Sequence, residues 1–230
     1  MPYRIKINYS NNSNYDKAGV LIYSLNQGEK YYLLGRSRKS PIWNTIDIPR
    51  NIEDGSNPIL TASRGFVIGT NNLGNSWNDS IKIRVPLYHP LLLNPPIGIV
   101  TPGLPLSPRL HLNPVIRKPS SWSNYRNSDS YQWIYKNIRG NSDVIETNLN
   151  GSKQIYYKIN KLVFDRDLPD RFLRSLNSMS ARMSDYDKLA WVKESELKTL
   201  NDCNRINTLP SLNNERVNNQ LCTIVQLLNT

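Results

Sequence analysis

The sequence predicts an α+β domain: a mixed sheet flanked by helices in an α/β/α sandwich, interrupted by a proline-rich insertion. Three observations carry the prediction. An apolar strand pair joined by a turn runs from Lys17 to Arg36. A capped helical segment follows it, beginning near Pro58. Strand and helix patterns resume after residue 150 and continue almost to the C-terminus.

In the first pair, Ala18 to Ser24 is apolar and β-branched, Asn26-Gln27-Gly28 is a turn signal, and Tyr31 to Leu34 forms the return strand. Both strands are too apolar for a solvent-facing sheet, which makes them central. A short strand follows at Thr45–Ile48, then a turn through Asn51–Gly55. Ser56 or Asn57 can cap the next helix, and Pro58 suits its first position. Ile59, Ala62 and Phe66 share one face at helical spacing, while Gly65 and Gly69 weaken the helix by about 1 kcal/mol each relative to alanine. Support from tertiary packing is therefore required.

Ser80–Leu87 alternates like a strand ending at Pro86. Nine of the chain's fifteen prolines fall between Pro86 and Pro119, which excludes a regular helix or central strand and predicts an extended apolar arm. Residues 120–150 are polar and aromatic, with Trp122, Tyr125, Tyr131, Trp133 and Tyr135 beside Arg126, Lys136 and Arg139. A strand is expected at Gln154–Asp165 and a helix over Leu168–Met183 with Phe172, Leu173 and Leu176 on one face. Lys188–Val192 reads as a short strand, Glu194–Leu200 as a helical turn, and Glu215–Leu228 as amphipathic. The organisation is one domain over 1–230, with an insertion at 88–150 and a C-terminal helical extension at 201–230.

A chain of 230 residues can bury a substantial core. It has no signal-like N-terminus and no apolar run long enough to span a membrane. Two cysteines, Cys203 and Cys222, make neither a disulfide framework nor a zinc site, and read as free thiols in a reducing compartment. The expected location is intracellular and cytoplasmic. The 30 asparagines, several in pairs, suggest an AT-rich genome such as that of a large DNA virus or a protist; in the viral case the location is a virus factory or the virion.

The net charge of +11 is concentrated in two blocks. Residues 1–50 carry eight Lys/Arg against three Asp/Glu, and residues 101–160 again carry eight against three. Such blocks attract phosphates, although a solvated basic face with no specific partner has the same composition. His89 and His111 lie too far apart for a metal pair or a triad, and neither a nucleophile elbow nor a phosphate-binding glycine loop is present.

The stretch from Ile48 to Thr70, IPRNIEDGSNPILTASRGFVIGT, resembles a Nudix box stripped of its carboxylates. With Glu53-Asp54-Gly55 on the acidic-x-Gly part of that pattern, Arg64 falls on the box arginine. Ser56, Gly65, Ile68 and Gly69 then stand where the family has glutamates. The preceding strand pair and LAWVKESEL at Leu189–Leu197 follow in Nudix order, and Ile48-Pro49-Arg50 is similar to the opening of mRNA-decapping members. The chain is thus identified as a member of the Nudix superfamily with a degenerate box.

The resemblance implies a nucleotide or RNA ligand without efficient hydrolysis. Nudix chemistry holds Mg²⁺ or Mn²⁺ with carboxylates on one helix face, and Gly65, Ile68 and Gly69 supply no side-chain oxygen. No cofactor is expected; residual Mg²⁺ or Mn²⁺ binding is left to Ser56, Glu53 and Asp54. Arg64, without its glutamates, turns either to a phosphate or to a backbone carbonyl. Arg36, Arg38, Lys39, Trp43 and Arg50 would line the old substrate mouth, with Arg126, Lys136 and Arg139 extending the track. Trp43, Trp77, Trp122 and Trp133 are candidates for stacking on a base, and equally for core packing. Two alternatives stay open. One is a structural or assembly subunit, for example of a virion, that docks a protein partner through residues 88–119. The other is a weak hydrolase using Glu53 or Asp54. No membrane role is expected.

Overall fold

In a computed structural model, the described residues are 14–73, 77, 126–149, 151–177 and 184–228. They hold a nine-stranded mixed sheet with helices on both faces, as the sequence predicts. The strand expected at Ser80–Leu87, the proline-rich arm and Trp122 lie outside the described residues.

The N-terminal hairpin is β1 (Lys17–Asn26) and β2 (Glu29–Ser37). Its two-residue turn puts Gln27 and Gly28 at φ 52° and 83°, the left-handed pair that matches strand twist in a tight hairpin. Both strands are central. β1 pairs in parallel with β6 (Ser152–Asn160), and its other edge is shared. Tyr23 to Asn26 pair with β2, whereas Lys17 to Val20 pair with β4 (Ile46–Pro49). β2 goes on to β3 (Trp43–Asn44) and β7 (Tyr186–Lys193). Gly19 permits the β1–β4 crossing: a Cβ there would lie 2.5 Å from Asp47 Cβ and 2.7 Å from the Ile46 carbonyl.

Alternation along the strands creates two cores. Ala18, Val20, Ile22, Leu33, Ile46, Ile155, Tyr157 and Ile159 face one side and meet α1 (Pro58–Gly69) and α2 (Asp129–Asn141). Asn57 caps α1 by accepting from the Ile59 amide at 3.0 Å, with Pro58 in the first turn. Ser128 caps α2 at the Tyr131 amide, and Tyr131, Ile134 and Ile138 form its buried stripe. Within the stretch read as an insertion, α2 and β5 (Asp143–Leu149) therefore belong to the main unit, β5 pairing antiparallel with β6. α3 (Leu168–Asn177) turns Leu168 and Phe172 inward, while Leu173, expected on that face, is half exposed.

The opposite core holds Leu21, Tyr32, Leu34, Tyr156 and Val192, covered by α5 (Asn219–Leu228) through Leu221, Cys222, Ile224 and Val225. The chain reaches α5 through a short α4 (Glu194–Leu197) and two-residue strands β8 (Asn207–Thr208) and β9 (Arg216–Val217). Cys203 and Cys222 overturn the expectation of free thiols: they form a disulfide with Cα atoms 5.3 Å apart. A count of two cysteines cannot reveal that the segment after α4 folds back against α5. The pairing also removes the thiol-based reason for assigning a reducing compartment. Among the described residues no helix is long and apolar enough to cross a membrane.

The disulfide closes a loop across a sequence separation of 19, for which chain entropy predicts a contribution of about 3 kcal/mol. Cys203→Ser should therefore lower the urea midpoint by an amount that corresponds to this loss, and a reductant should add no further shift. An unchanged midpoint would show that the segment is held by packing alone.

Candidate functional site

The loop between β4 and α1 is built around Asp54. Residues Ile52–Asp54 form a 3-10 turn whose capping box joins the Asn51 and Asp54 side chains to each other's backbone amides. Asp54 is 2 % exposed, and Arg64 on α1 is 7 % exposed. The Arg64 Nε and Nη2 atoms donate to the Asp54 carboxylate at 3.1 and 2.5 Å, and Nη2 also donates to the Pro49 carbonyl at 2.8 Å. Thr61 Oγ1 donates to Asp54 at 2.8 Å, leaving the Tyr15 hydroxyl, 2.7 Å away, to donate to Thr61. Burial raises the Tyr15 phenol above its ordinary range. The Arg50 guanidinium lies 5.4 Å from the Tyr15 ring centre, which ties the exposed basic end of β4 to the same network.

Of the two partners expected for Arg64, a backbone carbonyl is therefore present, and a buried carboxylate is added to it. The positions aligned with the family's glutamates do not converge. Ser56 is exposed on the loop and Ile68 is half-buried. Gly65 and Gly69 face the sheet: added Cβ atoms would lie 2.9 Å from Ile48 Cγ2 and 2.7 Å from Ile46 Cγ2. Glu53 and Gly55 are exposed, and Asp54 is committed to Arg64. These donors do not fit Mg²⁺ or Mn²⁺, and among the described residues no three His, Cys, Asp or Glu are grouped so as to hold a metal ion.

The basic residues divide between the two ends of the sheet. Arg36 lies in the last residues of β2, and Arg38, Lys39 and Arg50 follow the ends of β2 and β4, at the end where β1 begins. Arg139 precedes β5, whose Asp143 pairs with Lys158 at the opposite end. Lys136 and Arg139 lie on α2 and Arg126 precedes its cap, and Arg139 does not simply prolong the first group. Among the described residues none of Arg38, Lys39, Arg50, Arg126, Lys136 and Arg139 is ion-paired, and all six are exposed. Arg36 differs. Its Nε and Nη2 donate to Asp187 at 2.8 and 2.7 Å, and its Nη1 donates to Glu215 at 2.7 Å. The Arg36 contact holds the Asp187 carboxyl below its usual range.

Among the described residues, Trp43, Trp77 and Trp133 are packing residues. Trp77 and Trp133 lie against Phe66, with ring centres 4.6 and 5.6 Å away. Trp43 is 4 % exposed, and its indole Nε1 donates to Glu215 at 2.7 Å.

Sequence reading missed Asp47. Its carboxylate pairs with Lys17 at 2.7 Å and accepts from Tyr156 OH at 3.0 Å and Thr45 Oγ1 at 3.1 Å. Gln220 of α5 reaches the same group. Burial first, then Asp47, drives the Tyr156 phenol far above its ordinary range. The signal was the alternation Ile46-Asp47-Ile48, which sends one carboxylate to the α5 face. Tyr186 was missed as well; its buried ring fills the space beside Gly35 and Gly69.

The chain matches no family model and no curated protein. Among solved structures it is similar to an Ap4A hydrolase from C. elegans, at 9% sequence identity and a TM-score of 0.36, over 80% of this chain and 82% of that one.

Proposed function

We propose that this chain is a Nudix-like protein of the mRNA-decapping type that binds RNA or a nucleotide-like ligand, a capped 5′ end included, and does not hydrolyse it. The observation that carries this reading is the Asp54–Arg64 pair. It commits the acidic loop and the box arginine to each other inside the protein, while Gly65 and Gly69 lie flat against β4. A helix so enclosed offers a metal no oxygen ligands. Beside it, Arg38, Lys39 and Arg50 are exposed at one end of the sheet. Exposed cations there can neutralise backbone phosphates, and association driven this way weakens as salt rises, because condensed counterions released into a more concentrated solution gain less entropy.

The test is a titration with a labelled capped RNA and its uncapped twin at two salt concentrations. Binding should weaken steeply with salt, by a log–log slope of about −0.7 for each phosphate neutralised on a single strand. Replacing Arg38 and Arg50 by Glu should weaken all sequences alike and flatten that slope. Equal affinity for the two RNAs would mean backbone tracking without cap recognition. A salt-independent affinity, or release of a nucleoside diphosphate in Mn²⁺, would refute the reading.

A further inference from the structure

We propose that Arg36, Trp43 and Lys188 form a phosphate subsite that the chain's own Glu215 occupies as a competing anion. The inference rests on the RNA or nucleotide reading above and adds a regulated position to it. Three donors from three strands converge on one carboxylate. Glu215 Oε1 accepts from Arg36 Nη1 at 2.7 Å and lies 3.7 Å from Lys188 Nζ, and Oε2 accepts from Trp43 Nε1 at 2.7 Å. The donors belong to β2, β3 and β7, whereas Glu215 comes from the irregular C-terminal segment.

The chemistry suits a two-oxygen anion. Trp43 is 4 % exposed, and an indole N–H buried to that degree needs an acceptor. Departure of Glu215 therefore leaves this N–H ready for an incoming acceptor oxygen. Charge points the same way. Arg36 and Lys188 face Asp187 and Glu215, two positive charges against two negative, so departure of Glu215 leaves an excess of one positive charge. A guanidinium edge, an indole N–H and an ammonium together can donate to the non-bridging oxygens of a phosphate.

Of the two carboxylates on Arg36, Glu215 is the exchangeable one. Asp187 sits within β7, an eight-residue strand, at the irregularity between the Arg36–Lys188 and Ser37–Tyr186 pairs, so strand pairing holds both its neighbours, and its bidentate contact aims the guanidinium. Glu215 instead lies between Asn213 and Asn214, at φ 56° and 57°, and the two-residue β9. One ladder pair, Trp43 with Val217, joins β9 to β3. The Cys203–Cys222 disulfide brackets this segment and keeps Glu215 close to the donors whether or not it is engaged.

The experiment compares wild type with Glu215→Gln, which keeps the shape and removes the charge, and with Glu215→Asp, which keeps the charge and withdraws it by one methylene. Each protein is titrated with inorganic pyrophosphate and with a short single-stranded RNA, following the Trp43 indole N–H by NMR after assignment with Trp43→Phe. The expected result is that Glu215→Gln binds pyrophosphate about tenfold more tightly than wild type at low salt, shifting the Trp43 signal, with a smaller gain in Glu215→Asp. RNA affinity should rise in parallel. Pyrophosphate binding at Trp43 without any RNA binding would support the subsite and refute the RNA reading. RNA binding that is equal in all three folded proteins, with an unmoved Trp43 signal, would overturn the subsite and leave the RNA reading intact. If Glu215→Gln fails to fold, Glu215→Asp decides: no gain over wild type overturns the proposal.

Discussion

Replacing Asp54 by alanine destabilises the protein by about 3–5 kcal/mol, the loss expected when one partner of a buried ion pair is removed and the other is left uncompensated. The physical reason lies in the count of partners. Asp54 receives Arg64, Thr61 and the Asn51 amide, and both it and Arg64 are almost fully withdrawn from water. In the variant, the Arg64 guanidinium keeps only the Pro49 carbonyl. The Thr61 hydroxyl loses the carboxylate that oriented it as the acceptor for the Tyr15 hydroxyl. Urea denaturation read by tryptophan fluorescence measures the change in midpoint. A double variant, Asp54→Ala with Arg64→Met, removes both charges and should recover a large part of the loss, since two apolar groups of similar volume carry no desolvation penalty. Equal loss in the single and double variants would mean that packing of the loop, rather than the charge pair, holds β4 to α1.

The central hairpin, the capped helix after it and the closing strand were legible in the sequence because each rests on local chemistry. Gln27-Gly28 specifies a tight turn, Asn57-Pro58 starts a helix, and the alternation of β1 and β7 divides their residues between two cores. The loop's acidic and glycine residues were legible too, but their use was not. Glycine at 65 and 69 reads from sequence as a missing ligand or a weakened helix. In the fold it is the condition for Ile46, Ile48 and Tyr186 to touch α1. Contacts between distant segments left no local trace. Glu215 meets Arg36 across a sequence separation of 179, and Trp43 across 172. Nothing near Arg36 in the chain indicates that its charge is met. The same limit applies to the disulfide, whose partners are linked only by the path of the segment between them.

Placing a glutamate at Gly69 should abolish folding rather than create a metal site. A Cβ at that position would stand 2.7 Å from Ile46 Cγ2 and 3.1 Å from Tyr186 Cε2, and both neighbours are buried. Overpacking alone costs about 1–3 kcal/mol. Burying the carboxylate without a partner adds a further several kcal/mol, so the sum approaches the whole stability of an ordinary domain, about 5–15 kcal/mol. Gly65→Glu meets Ile48 in the same way, at 2.9 Å. Ser56→Glu is the matched control: that position is exposed, and the change should stay within about 0.5 kcal/mol. Soluble yield and thermal melting of the three variants, followed by Mn²⁺ titration of any that fold, measure the outcome. A stable Gly69→Glu protein that binds Mn²⁺ would show that α1 can move off β4 and open this helix face to solvent. Failure of both glycine variants beside a normal Ser56→Glu protein would mean that the close approach of α1 to the sheet and a carboxylate-lined helix face are mutually exclusive in this chain.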